Sequence, residues 1–216
     1  MRKPLLFILS LMFVSSIYAQ ELKFLGGLNL SRYSIYPEVY QDIYGFQYND
    51  KSNFKMGSVI GCGIEFPFTK KITFGIEALY IQKGSKIKTE SPSIEIYSAP
   101  KEYTLSTISF PILLRTRFLK GSSPYILGGG EFSFIISHRY INILNGQGRD
   151  SLDIKENTHN FDYGLVFGFG FEIKIEEHSF FIEGRYHLGI KNISKVYQRY
   201  ESIKTNAIVV VMGFKI

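Results

Sequence analysis

Cysteine is almost missing: Cys62 is the only one in 216 residues. A single thiol excludes an intramolecular disulfide, and no Cys/His spacing resembles a zinc site. Proline is sparse, at 7 residues. There is no basic block either. Arg2 and Lys3 account for two of the six net positive charges, and the rest of the excess is spread along the chain, which gives no reason to expect a nucleic-acid partner. Beyond the first twenty residues no apolar run reaches the ~20 residues a membrane-crossing helix needs; the longest lie near 108–114 and 207–211. Phosphate loops are also excluded. Gly57-x-x-x-Gly61-x-Gly63 and Gly164-x-x-x-Gly168-x-Gly170 keep a strand period, and neither opens a helix.

What is present is aromatic and apolar. Tyr and Phe number 15 and 19, glycine 20, and the apolar fraction is 45%. That mix favours strands over helices and a folded body over a disordered chain. The start reads as a separate unit. Arg2 and Lys3 precede a short apolar stretch over 5–17, and Ala19 supplies a small residue before Gln20, which predicts a signal peptide over 1–19 cleaved after Ala19. The mature domain is then 20–216, that of an exported protein.

The dominant signal is period-two alternation. From 161 to 175 the residues Phe161, Tyr163, Leu165, Phe167, Phe169, Phe171, Ile173 and Ile175 alternate with Asp162, Gly164, Val166, Gly168, Gly170, Glu172 and Lys174. All of the second set except Val166 are small or charged, so the segment is a strand with two unlike faces. Seven other segments follow the same template, at 22–32, 54–66, 72–83, 103–118, 125–136, 180–190 and 205–216. The connections 67–71, 119–123 and 176–179 are short. Those at 34–53, 84–102, 137–160 and 191–204 are long and polar. Short and long alternate strictly, which predicts an all-β fold: an eight-stranded antiparallel up-and-down transmembrane β-barrel with short periplasmic turns and long extracellular loops.

Alternation alone leaves open which face looks outward. A soluble lipocalin-like ligand-binding barrel is the inverted solution. Glycine on the polar face argues for the membrane solution, because an eight-stranded interior has room only for side chains that fill it. Inward charges are then expected from Glu65, Glu77, Glu131, Asp162, Glu172 and Glu183 with Lys55, Lys83, Arg115, Arg117, Lys174, Arg185 and Lys215, near balance and therefore an ion-paired filling.

No catalytic, cofactor-binding or metal-ligating constellation stands out. His138, His159, His178 and His187 lack ligand spacing. A lipid-modifying enzyme would need a serine beside a base, and Ser109 or Ser133 with His187 is the only combination on offer, without a Gly-x-Ser-x-Gly elbow. The expectation is a non-enzymatic barrel without cofactors that meets outer-membrane lipid and lipopolysaccharide and binds another envelope component through its loops. Loops 34–53 and 137–160 are the longest, and Tyr33, Tyr36, Tyr40, Tyr44, Tyr48 and Tyr140 are the expected aromatic anchors. The loop carrying Lys191, Lys195, Arg199 and Lys204 against Glu201 is the basic one, suited to lipopolysaccharide phosphates.

Four phrases also resemble a known family. Gly26-Gly27-Leu28-Asn29-Leu30-Ser31, Glu77-Ala78-Leu79-Tyr80-x-x-Lys83-Gly84, the strand Ile108-Ser109-Phe110-Pro111-Ile112-Leu113-Leu114, and Pro124-Tyr125-Ile126-Leu127-Gly128-Gly129-Gly130 are similar to strands of the PorT-like outer-membrane barrels of Bacteroidetes. The resemblance implies an eight-stranded barrel and a link to protein secretion across the outer membrane. It implies no catalytic residue.

Overall fold

The computed structural model describes residues 20–41, 44–91, 101–119, 121–143, 149–196 and 201–216. The expected signal peptide lies outside them, as does Arg199. Alternating residue type produces strands almost everywhere. Eight are long: β1 (Glu21–Tyr36), β4 (Lys55–Pro67), β5 (Ile72–Glu90), β6 (Lys101–Arg117), β7 (Ser123–Ile143), β9 (Phe161–Ile175), β10 (His178–Gly189) and β11 (Ser202–Lys215). Three short ones, β2 (Val39–Gln41), β3 (Gln47–Asn53) and β8 (Arg149–Asp153), sit in the long connections. Eleven strands among the described residues therefore replace the expected eight. The additions come from loops whose backbone groups, lacking helix partners, pair with the neighbouring long strands.

All pairings are antiparallel, and sequence neighbours among the long strands are spatial neighbours, which makes an up-and-down barrel. β1 pairs with β4 on one side and β11 on the other, and β5 pairs with both β4 and β6. The short-turn end is built locally. In the β4–β5 turn the Thr69 hydroxyl accepts the Lys71 and Ile72 backbone N–H groups at 3.2 and 3.0 Å. The β6–β7 turn uses Gly121 at φ 76°. The β9–β10 turn spans only Glu176 and Glu177, and Glu176 takes φ 53°, the left-handed geometry a two-residue hairpin requires.

Side-chain orientation answers the question alternation left open. Leu28, Met56 and Phe169 point outward with 56%, 63% and 71% of their surface exposed, while Lys23, Glu183 and Ser109 are fully buried. In water such a continuous outward apolar belt would drive aggregation; in lipid it is the solvent-facing surface. The soluble inverted barrel does not fit. Aromatic rings tile part of the belt, with Phe132 and Phe161 stacked at 5.6 Å and Phe24 and Phe214 at 5.3 Å.

Candidate functional site

From the short-turn end upward, the barrel interior is filled in layers. The lowest is an ion network. Lys23 reaches Glu183 at 2.7 Å, Glu77 at 3.1 Å and Glu65 at 3.6 Å. Arg115 bridges Glu65 at 3.0 Å and also contacts Glu77, Arg185 holds Glu77 at 2.6 Å and also binds Glu183, and Lys215 ties Glu65 to Glu172 at 2.8 and 2.6 Å. The Tyr125 hydroxyl donates to Glu183 at 2.6 Å. Each of these charges meets opposite charge, the condition under which buried ions are tolerated.

Two expectations need correction here. Lys174 does not join the interior: it is exposed at the end of β9, beyond the filled section. Lys23 is the inward cation missing from the expected set, although it shares the parity of Asn29 and Ser31 on β1, which was the available signal. Lys55 is inward but stands high, 3.0 Å from Glu102.

Above the ions lies a layer that the polar reading of the inward face did not foresee. Leu25, Val59, Leu79, Ile81, Val209 and Val211 form a buried apolar cluster, and Leu113, Leu127 and Val166 form another with Tyr125. Val166, the exception in the β9 alternation, belongs to it. A second polar cluster follows. Glu131 accepts from Lys83 and from Ser133 at 2.9 Å each and contacts Nδ1 of His187. Thr205 donates to Asp162 at 2.7 Å.

The candidate hydrolase pairing is not assembled. His187 and Ser133 both engage Glu131 rather than each other, and the Ser109 hydroxyl has no hydrogen-bond partner among the described residues. All three residues are buried, which leaves a substrate no approach.

The long-loop end is more open. β5, β6 and β7 run for 19, 17 and 21 residues, well past the roughly 9 to 11 that a tilted strand uses to cross a membrane. Their upper parts pair on, Ser85 with Tyr103 and Tyr103 with Tyr140. The β2–β3 hairpin joins β5 on one side, Asn49 opposite Glu90, and β8 joins β7 on the other, Tyr140 opposite Leu152. The result is a sheet ordered β2-β3-β5-β6-β7-β8 above the apolar belt. It brings the two longest loops into one surface.

Behind that sheet, a β-bulge re-aims one histidine. The register shifts at Ser106/Thr107, where Thr107 faces Ile135 and Ser106 faces Ser137. The unbroken run of outward apolar residues on β7 ends at Ile136; past it Arg139 is exposed and His138 turns inward, above the continuous apolar belt. The Thr158 hydroxyl donates to Ile154 O at 3.0 Å, so its oxygen accepts His138 Nδ1–H at 2.7 Å, and His138 Nε2 accepts the Tyr33 hydroxyl at 2.9 Å. With Tyr33 as the donor the chain of donors runs one way and the ring is neutral, the form that burial favours.

Tyr33 is thus no docking anchor: it is buried, whereas Tyr36 and Tyr44 are exposed. A cavity of about 150 Å³ opens beside these groups, between the strand tops and a roof made by 154–158 and 193–196. Roof segments are stitched together by Ile193 O accepting His159 N–H at 2.8 Å and Asn157 O accepting Lys195 N–H at 3.0 Å.

Burial holds the His138 pKa down to about 4 from 6.5; Asp153 opposes the shift and Lys155 adds to it. A base with a lowered folded-state pKa binds fewer protons than in the opened form, so roof stability rises with pH between about 4 and 6.5 and is lost as pH falls through that window. Amide exchange at His159 and Lys195, corrected for intrinsic rate, is expected to quicken on acidification from about pH 7 to about pH 4.5. Unchanged protection would show that the relay does not hold the roof.

Residues 18–195 match the family model described as outer membrane protein beta-barrel domain. The chain belongs to that family. An outer-membrane location follows. Among solved structures, the barrel is similar in outline to Ail, the attachment invasion locus protein of Yersinia pestis, solved in complex with the heparin analogue sucrose octasulfate (TM-score 0.44, 13% identity, covering 91% of this chain and 99% of that one). It is likewise similar to Neisserial surface protein A (0.44, 12%, 90% and 96%) and to OprG from Pseudomonas aeruginosa (0.45, 12%, 91% and 95%). No curated protein matches the chain.

At the long-loop end of this outer-membrane barrel two basic residues of the 191–204 connection lie close together. Lys191 and Lys195 stand near His159 and, after burial, are the cause of its lowered pKa. Lys195 Nζ also donates to Glu156 O at 3.1 Å.

Proposed function

We propose that the chain is exported with cleavage after Ala19, closes into a barrel of eight long strands, and acts as a non-enzymatic outer-membrane protein that captures another envelope component on its extracellular sheet. The observation that supports this most is that sheet. Strand pairing carried past the lipid costs backbone entropy that membrane insertion alone does not require, about 1–2 kcal/mol per ordered residue, and it yields a fixed surface with open edges at β2 and β8. Exposed Tyr36 and Tyr44 and half-buried Tyr40, Tyr48 and Tyr140 lie on or beside it and are suited to act as interface anchors. The resemblance to PorT-like barrels of Bacteroidetes makes a secretion or envelope-assembly protein the first candidate partner. Lys191 and Lys195 suit contact with lipopolysaccharide phosphates. The layered, ion-paired filling supports a structural wall over a reaction centre.

Deleting residues 38–48 and 144–152 removes both sheet edges while keeping β1 to Tyr36 and β7 to Ile143. The shortened barrel is expected to insert and to run faster on gels unboiled than boiled, yet to lose capture of any envelope partner found by cross-linking to the full-length protein. Capture that survives both deletions would defeat the loop-binding reading and shift attention to the barrel wall.

A further inference from the structure

The cavity at the extracellular end has a composition unlike the rest of the loop layer. Its deepest polar groups are already engaged, because Tyr33, His138 and Thr158 spend their hydrogen bonds on one another and on Ile154 O. What remains facing the space is hydrocarbon from Ile87, Ile154, Ile193, Val196 and Ile203 and the rings of Tyr33 and Tyr103, whose centroids are 5.9 Å apart. Leu105, Ile135 and Ile35 pack in the same buried cluster as Tyr33, Ile87 and Ile193. Above, the roof is held by the Thr158–Ser194 bridge and by Ile193 N–H donating to Ile203 O at 2.9 Å, so the space is kept open by backbone pairing and does not depend on a guest. Exposed Asn157 and half-buried Ser194 and Val196 mark its mouth.

A cavity of about 150 Å³ whose walls are mainly apolar has room for a guest of benzene's size. Aromatic neighbours favour an aromatic guest, since edge and face contacts between rings add to simple burial. No lining group offers a charge, because the relay fixes His138 as neutral, so a charged guest would lose its hydration without compensation. We propose that this cavity is an extracellular binding site for a free, neutral, single-ring aryl compound, entering between Asn157 and Val196.

The test uses the full mature barrel in zwitterionic lipid nanodiscs with isoleucine methyl labelling, titrated with benzyl alcohol. Saturable shifts are expected at the Ile87, Ile193 and Ile203 methyls. The lipid-facing Ile60, Ile112 and Ile182 methyls report partition of the probe into the bilayer and should move only in proportion to its concentration. Val196→Trp, which places a ring in the mouth, should weaken the saturable response at least tenfold. Ile203→Phe, which fills the space from the strand side, should do the same and serves if the tryptophan variant fails to fold. Shifts at the cavity methyls that stay linear and parallel those of Ile60, Ile112 and Ile182 would overturn the proposal, as would undiminished saturation in a folded filled variant.

Discussion

Gly129→Ala is expected to abolish recovery of heat-modifiable barrel, while Gly130→Ala, one residue on, should fold like the parent. The two glycines face opposite ways on β7. A Cβ at Gly129 would stand 1.9 Å from the carbonyl oxygen of Ile112 and 2.9 Å from its carbonyl carbon, whereas a Cβ at Gly130 meets nothing within 4 Å. The obstructing atoms are backbone on β6, held in register by Leu113 opposite Gly129 and Ile112 opposite Gly130. They cannot swing aside as a side chain can. Relief would require prising β6 from β7, so the cost should exceed the roughly 1 to 3 kcal/mol typical of overpacking a core. The fraction of each variant running at the fast, unboiled position after refolding decides the matter. Equal recovery of the two would mean that the inward contact is looser than the geometry describes.

Glu77→Gln is the second large effect. The substitution keeps the volume and removes one negative charge from among Lys23, Arg115 and Arg185, all fully buried. Breaking a buried pair costs about 3–5 kcal/mol, because cations are left without compensation away from water. The midpoint for loss of the fast-migrating form in urea should fall accordingly. Glu90→Gln at the exposed Lys51 and Lys88 pairs should leave that midpoint where it is, since surface ion pairs are screened and mobile. A Glu77→Gln midpoint as high as the parent's would show that water reaches the network and dissolves its electrostatics.

Lipid is the reason so much of the barrel could be read from sequence. A strand between hydrocarbon and a crowded polar interior must alternate, and β9 was predicted over the same 161–175 that it occupies. Above the lipid that constraint relaxes. β3, Gln47–Asn53, is polar apart from Tyr48, buries Asp50, and announces nothing. The bulge opposite Ser106/Thr107 is equally silent: parity from Ser133 and Ile135 aims His138 outward, and only the extra residue brings it to Tyr33. Tyr33 itself shares the parity of Lys23 and Asn29, so its burial was legible, and its loop-like neighbourhood obscured it. The apolar layer was signalled by Val166 and equally by Leu25, Leu79 and Leu113, which share the parity of Lys23, Glu77 and Arg115. An inward face that is polar on average can still hold one hydrocarbon tier, and averages along a strand conceal tiers across a barrel.

The unequal strand lengths give this protein a slanted collar. β5, β6 and β7, at 19, 17 and 21 residues, tower on one flank, while β9, β10 and β11 are shorter on the other, at 15, 12 and 14. A vertical rim would present its loops to whatever diffuses down from the medium. A slanted one turns a broad wall sideways, parallel to the membrane, at the height where the outer parts of neighbouring membrane proteins stand. A neighbour confined to the same bilayer sweeps that wall in two dimensions and meets it far more often than a solute would, so a modest affinity per encounter is enough to hold the pair together.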